Sequence, residues 1–266
     1  MNKSLFLNEV DSIKQILNLY QPIHLSQMKD VELMNRMDTK FCFPISELEN
    51  VLKALQPYYS CFEIDTNRIS AYTNLYFDSS NFSFYKDHHN RKNHRFKVRY
   101  RKYETNNISF LEVKEKRKGR VRKQRINTDN IHLSFPASEQ GFVSKIIGSD
   151  IQLEAKLWNN YKRITLVNHA KTERLTLDFD INYHWENTYH ELNNLVIAEL
   201  KQQHINRHSY FYKYMRTNEI RPYRISKYCI GAISLFSSKS GNIFLKYNRF
   251  KQKIKKLNKL KYDLSN

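Results

Sequence analysis

The sequence predicts an α+β fold in which an antiparallel β-barrel carries flanking helices. Three observations lead there. After residue 57, strand-like segments follow one another in hairpin-like succession instead of alternating with helices. Five of these segments repeat one arrangement, apolar residues on one face and charged residues on the other. The charged faces are rich in Lys and Arg, in a chain of 266 residues with a formal net charge of +19. A barrel reconciles them: its outer face meets helices, while its inner face lines a lumen. There, facing cations repel unless a polyanion lies between them.

The elements follow in order. Leu5, Leu7, Val10, Ile13, Ile16, Leu17 and Tyr20 recur at three- and four-residue steps, predicting an amphipathic helix that ends near Gln21-Pro22. A second short helix fits residues 25–34. Ser46 caps a third, with Leu48, Val51, Leu52 and Leu55 on one side, as far as Gln56-Pro57. Strands are predicted at 70–77, 95–103, 109–116, 120–127, 161–168, 173–183 and 195–202, with a Lys118-Gly119 turn closing a hairpin. Helices are predicted at 138–147, around 208–217 and at 226–236. From Ile243, Phe244, Phe250, Ile254, Leu257 and Leu260 recur among lysines, as in a basic amphipathic helix. The chain thus divides into an N-terminal helix packing on the barrel (1–24), the barrel domain (25–236) and a basic C-terminal helix (237–266).

Composition limits the function classes. Hydrophobic residues make up 40%, enough for a core, and only five Gly and five Pro exclude collagenous and linker-rich classes. Lys and Arg total 45 against 26 Asp and Glu. Such an excess repels itself in a compact state, so an anionic partner is expected. Part of it has a plainer reading, as solubilising lysine. Three cysteines (Cys42, Cys61 and Cys229) lie far apart without metal-ligand spacing, which suits buried thiols in a reducing compartment. The N-terminus lacks a cleavage site, and no run approaches the ~18 apolar residues of a membrane helix. A cytoplasmic location is expected.

The period of two puts Lys97, Arg99 and Arg101 on one face of their strand, and Glu112, Lys114 and Lys116 on one face of the next. Lys123 and Arg125 share a face after the turn. Later come Arg174, Thr176, Asp178 and Asp180, then Glu199 with Lys201. For any single strand this is an ordinary solvated face; across five strands a lumen gives the better account.

These residues resemble a known family. Arg36-Met-Asp-Thr-Lys40-Phe, YTNLYFDS, HRFKVRYRKY, FLEVKEK, the return strand ending KQR, YKRITL, ERLTLDFDINY, VIAELKQ and ISKYCIG follow the motif order of the VTC (vacuolar transporter chaperone) polyphosphate polymerase domain. The likeness covers roughly residues 25–235, and the tail FLKYNRFK is similar to bacterial versions. The resemblance implies a triphosphate-tunnel fold of the CYTH-like superfamily, a β-barrel open at both ends and lined with Lys, Arg and Glu. Eukaryotic members transfer the γ-phosphoryl of ATP to polyphosphate with Mn2+ or Mg2+; wider relatives hydrolyse triphosphates or make cyclic AMP. By motif, Lys40, Arg99, Arg101, Lys114, Arg163, Arg174 and Lys227 fall on phosphate-binding bases, and Glu199 falls on the metal-ligand carboxylate. Arg36, Lys97, Lys116, Lys123, Arg125 and Lys201 are further candidates for binding the phosphate chain. Where the superfamily carries ExExK, this chain carries Arg36-x-Asp38-x-Lys40, a cation in place of one metal carboxylate.

Competing readings remain at this point. Lys40 and Lys227 also fit surface charges. Asp178 and Asp180 are expected to pair with Arg174 rather than hold metal, and Glu112 to pair with a neighbouring cation. His88 and His89 read as loop residues. The functional alternatives are a binder of polyphosphate or inositol phosphate, a triphosphatase of the same fold and, last, a nucleic-acid binder, for which no motif is present. The expected partners are ATP and polyphosphate, with association with a separate membrane protein left open, since the membrane segment of eukaryotic members is not seen.

Overall fold

The computed structural model describes residues 3–28, 36–148 and 151–236, with side chains from residue 11 onward. The expected C-terminal helix, and the part of the 25–34 helix beyond Met28, lie outside these residues. Helices α1 (Lys3–Asn18), α2 (Leu25–Met28), α3 (Leu48–Leu55), α4 (Ser83–His89), α5 (Ala137–Ile147), α6 (Tyr210–Thr217) and α7 (Lys227–Phe236) surround one sheet. Its strands are β1 (Gln21–Ile23), β2 (Met37–Pro44), β3 (Tyr59–Phe62), β4 (Ser70–Asp78), β5 (His94–Tyr103), β6 (Ile108–Arg117), β7 (Arg120–Thr128), β8 (Glu154–Asn168), β9 (Glu173–Trp185), β10 (Thr188–Leu192) and β11 (Leu195–Gln202).

The main path runs β2-β11-β9-β8-β4-β5-β6-β7, antiparallel throughout; β10 adds to β9, β3 adds to β8, and β1 pairs with β3 in parallel. The sheet curls strongly into a half-barrel. Its two ends, β2 and β7, do not pair with each other among the described residues, so the sheet is open along that side and its curvature alone forms the lumen. The β6–β7 turn uses Lys118 (φ 47°) and Gly119 (φ 83°), the two left-handed positions that a two-residue hairpin turn needs.

Burial follows the period of two. On the convex face Phe41, Phe43, Leu175, Leu177, Phe179, Ala198 and Leu200 pack on Ile16 and Leu17 of α1, on Leu48, Val51, Leu52 and Leu55 of α3, and on Phe211 and Met215 of α6. Farther round, Leu75, Phe77, Val98, Tyr100, Leu111 and Val113 pack with Phe84 of α4 and Val143 of α5. Full burial of each such side chain contributes on the order of 1.5–3 kcal/mol.

The concave face is not uniformly polar. At one end Tyr76, Leu157, Ile181, Tyr183 and Ile197 form an apolar patch covered by Tyr85 of α4 and by Tyr228, Ile230, Ala232 and Ile233 of α7. Gly231 permits this approach, since a Cβ there would sit 2.5 Å from Tyr183 Cδ1. Several elements were not visible in the sequence: β1, β2, β3, β10 and α4. His88 and His89 belong to α4 rather than to a loop. Helix α4 forms because Asp78, fully buried, accepts from the amides of Phe84 and Tyr85 at 2.9 Å and caps the first turn from outside it.

Candidate functional site

On β5, Lys97, Arg99 and Arg101 face the lumen while the alternate Val98 and Tyr100 are fully buried on the other side. Register sets Lys97 opposite Lys114 and Arg99 opposite Glu112, then Lys114 opposite Lys123 and Glu112 opposite Arg125. Like charges directly opposite each other destabilise a strand pair. Lys97 donates to Ser226 Oγ at 3.0 Å, and neither Lys97 nor Lys114 forms an ion pair among the described residues. Within the β5–β6–β7 ladder, an ion pair offsets the repulsion of this three-lysine row only at Lys123, which meets Glu112 at 2.5 Å.

Curling brings distant strands to the same axis. Lys114 on β6 interacts with Glu199 on β11 and Lys40 on β2, although four strands separate β6 from β11. Burial lowers Lys97 to about 7; Cys229 opposes this, while Lys40, Lys114 and Arg99 deepen it. Burial also lowers Lys114. It lowers Lys201 to about 8 against the pull of Glu199. Burial lowers Arg174 too, with Arg36 and Arg163 adding to it. Cations that depress one another in this way mark a space where an anion is favoured.

The carboxylates pair with cations, each in its own way. Glu112, 2% exposed, accepts from Arg99 Nε and Nη2 at 2.9 and 2.7 Å; burial would raise its pKa, but Arg99, Arg101 and Lys123 hold it low. Asp178 takes Arg163 at 2.5 and 2.8 Å through both oxygens and also Lys227. Its expected partner, Arg174, forms no ion pair among the described residues. The reason is register: Arg163 lies directly across from Asp178, whereas Arg174 is four residues along the same strand. Asp180 pairs instead with Lys162 at 3.0 Å, at a bulge where Asp180 takes φ 51°. Glu199 meets Lys201 at 2.9 Å and Lys40 at 3.7 Å.

Lys40 and Lys227, which also fitted a surface reading, are half-buried members of this cluster. Burial pulls Lys40 down, but Glu199, Asp178 and Asp38 outweigh it and hold it raised. Three candidates sit at the rim. Arg36 is exposed and pairs with Asp38 at 3.2 Å; Lys116 is half-buried near the hairpin; Arg125 is exposed, its Cζ 4.3 Å from the Phe110 ring centroid.

Sequence reasoning missed the residues that aim the arginines. Asn74 Oδ1 accepts from Arg101 Nε at 3.0 Å, the Tyr161 hydroxyl from Arg101 Nη2 at 3.0 Å, and the Tyr76 hydroxyl from Arg99 Nη1 at 3.0 Å. The Tyr72 ring lies under Arg101 and Arg163, at 5.4 and 5.2 Å. The signal was there: Tyr72, Asn74 and Tyr76 alternate on β4 with the same period of two that revealed the basic strands. Ser226 was missed as well. The ISKYCIG segment lays one residue after another on the site: the Ile225 carbonyl accepts from Lys40 at 3.3 Å, Ser226 from Lys97, Lys227 pairs with Asp178, and Tyr228 donates to Asp78.

This lumen, with its alternating strands, fits the motif order read from the sequence. A family model for the VTC domain matches residues 35–236. The chain belongs to the VTC domain family. This VTC domain is an α+β fold built on one strongly curled, mainly antiparallel sheet. Among solved structures it is similar to a candidate adenylate cyclase from Bacillus halodurans, at 14% identity over 73% of this chain and 96% of the other, TM-score 0.47. A candidate adenylyl cyclase from Hippeastrum, described as having a dominant triphosphatase activity, is similar at 14% identity over 78% of this chain and 98% of the other, TM-score 0.46. A candidate adenylate cyclase from Vibrio parahaemolyticus matches at 10% identity over 73% and 97%, TM-score 0.43. No curated protein sequence matches.

Among the described residues of this VTC domain no group of three or more His, Cys, Asp or Glu side chains gathers to hold a metal. The carboxylates of the lumen are Glu112 and Asp178, each held by an arginine, and Glu199, set among Lys40, Lys114 and Lys201. They do not form an all-protein cage. Glu199 fits the kind of Mg2+ or Mn2+ site in which one or two carboxylates share the ion with phosphate oxygens and water. No helix among the described residues is long and apolar enough to cross a membrane.

Proposed function

We propose that this VTC domain is a polyphosphate polymerase that binds ATP and polyphosphate in its lumen and transfers the γ-phosphoryl of ATP to the growing chain. The observation that carries this reading is the facing pair Lys97 and Lys114, neither in an ion pair among the described residues and both converging with Lys40 from the opposite side of the curl. An uncompensated row of charges suits a linear polyanion better than a single phosphate.

Phosphoryl transfer spreads charge over the transferred group, so the protein mainly positions and neutralises. Arg99 and Arg101, two residues apart on β5 and aimed by Tyr76, Asn74 and Tyr161, grip phosphate oxygens through their remaining N–H donors. Lys97 adds a point charge on β5 itself, and Lys40, Lys114 and Lys227 add theirs from β2, β6 and α7. Arg163, held on Asp178, and Arg174 with Lys201 extend the cationic lining toward the Arg36 rim. A divalent Mn2+ or Mg2+ on Glu199 would neutralise phosphate oxygens and orient them for displacement. The acceptor is the terminal phosphate of the polymer, which needs no protein nucleophile.

The test is incubation of purified protein with labelled ATP and Mn2+, with the product sized on a gel. A ladder of polymer supports the reading; release of orthophosphate alone makes the protein a triphosphatase. A second reading, a binder of polyphosphate or inositol phosphate without turnover, is favoured by one observation: both oxygens of Glu199 already face lysines. Tight, salt-sensitive polyphosphate binding with no ATP consumption would select it.

A further inference from the structure

The β6–β7 hairpin carries charge that the lumen does not use. Residues 114–125 contain eight Lys and Arg against one acid, Glu115. Three of these, Lys114, Lys123 and Arg125, lie on the lumen face or its rim, together with Lys116. On the outer face at the tip, Arg117, Lys118, Arg120 and Arg122 line a cleft of about 500 Å³ with Glu115. All four cations are exposed, and none forms an ion pair among the described residues. The one carboxylate is already engaged, by His94 Nε2 at 2.9 Å. Register places Arg117 directly opposite Arg120, a like-charge pair that weakens the hairpin at its most exposed point.

The cleft lies near the lumen along the hairpin, on the opposite face of its strands. Lys114 to Arg117 spans three residues of one strand, roughly 10 Å. Between them, on the lumen face, Arg95 stands opposite Lys116, and Arg95 Nε is buried without a hydrogen-bond partner. Cations therefore follow one another along the hairpin from the Lys97–Lys114 pair, past Arg95 and Lys116, to the tip and round it.

We propose that the outer cleft of the β6–β7 tip is a second polyanion site, which holds the part of a long polyphosphate chain that has left the lumen. This inference rests on the reading of the lumen as a polyphosphate site. It makes the protein selective for chain length: a short chain is held by the lumen alone, and a long one by lumen and tip together. Two linked sites strengthen binding without any new contact in the first.

The test compares tripolyphosphate with long-chain polyphosphate on wild-type protein and on the triple variant Arg117→Ser/Arg120→Ser/Arg122→Ser. These side chains point to solvent, so circular dichroism is expected to be unchanged. The variant should lose about tenfold or more in affinity for the long chain, with a shallower salt dependence, and bind tripolyphosphate as wild type does. Equal losses for both lengths, or no loss for either, would overturn the proposal. So would a variant that self-associates with both affinities intact, for then the cations only keep the β7 edge from pairing with another sheet. Loss of binding to phosphatidylserine vesicles with long-chain affinity intact would assign the tip to a lipid surface instead, against the proposal. If wild-type protein binds neither length, the lumen reading itself fails, and the tip proposal with it.

Discussion

Lys97 on β5 and Lys114 on β6 stand directly opposite each other in the antiparallel ladder, and neither forms an ion pair among the described residues. Two cations so placed have a stake in their own protonation. Lys97, lowered to about 7, is charged in both the folded and the unfolded chain below that value, and there its repulsion is fully expressed. Above about 7 the unfolded chain holds the proton more tightly, so the stability of the empty protein should rise with pH toward the ordinary lysine range. Polyphosphate reverses the preference because it binds the charged form. Affinity should fall as pH rises through 7 to 8, where Lys201 also titrates. Binding at pH 8 should take up protons, measurable by calorimetry in buffers of different ionisation enthalpy. Lys97→Met should reduce that uptake.

Arg99→Ala should lower turnover by about a hundredfold or more while the fold persists, since Glu112 keeps Lys123 as partner. Arg101→Ala is a less clean experiment. It leaves Asn74 Oδ1 and the Tyr161 hydroxyl without their donor in a buried site, a loss of about 1–3 kcal/mol. Rates for the two variants should therefore be read beside their melting temperatures. An Arg99→Ala protein with wild-type turnover would remove Arg99 from the site.

Asp178→Asn should be among the most destabilising single changes. Asp178 is 2% exposed and holds both Arg163 and Lys227, so its neutralisation strands two cations at a loss of about 3–5 kcal/mol. Burial would raise its pKa, but Arg163 and Lys227 hold it well below the usual aspartate range. Its stabilisation is therefore present above the ordinary aspartate pKa, about 4, and is lost as pH falls below it. Acid unfolding followed by circular dichroism should show the wild-type transition absent or blunted in the variant.

Glu199→Gln separates binding from chemistry. Removing one negative charge from beside Lys40 and Lys201 should leave polyphosphate affinity unchanged or raise it in metal-free buffer. Mn2+-dependent turnover should fall by at least tenfold if Glu199 holds the ion. Turnover that survives with unaltered metal dependence would transfer the metal role to another group.

Gly231→Ala tests how α7 is held against the lumen. The added methyl meets the Tyr183 ring, so α7 must lift from β9 or the ring must turn, costing about 1–3 kcal/mol. Because Lys227 and Ser226 begin this helix, phosphate affinity should weaken along with the melting temperature. An Ala variant with wild-type stability would mean that the ring yields freely.

The sequence by itself determined the long alternating strands and which way their charges face. Alternation on 95–103 and 109–116 needs only local spacing, and β5 and β6 form there with Lys97, Arg99 and Lys114 on the lumen side. Short or atypical elements escaped it. Strand β2 begins with Met-Asp-Thr-Lys, which shows no strand alternation of its own, yet it forms because β11 pairs with it residue for residue. Helix α4 is too short to show a helical period and depends on Asp78, a cap reaching it from the preceding strand. Only the tertiary structure decided which opposite charges meet. Arg163 rather than Arg174 takes Asp178, and Asp180 goes to Lys162 because a bulge shifts the register between β8 and β9. Ion pairing falls off within a few ångströms, so it is fixed by cross-strand register and by the curl that brings β2 and β6 together. Neither is a property of any one segment.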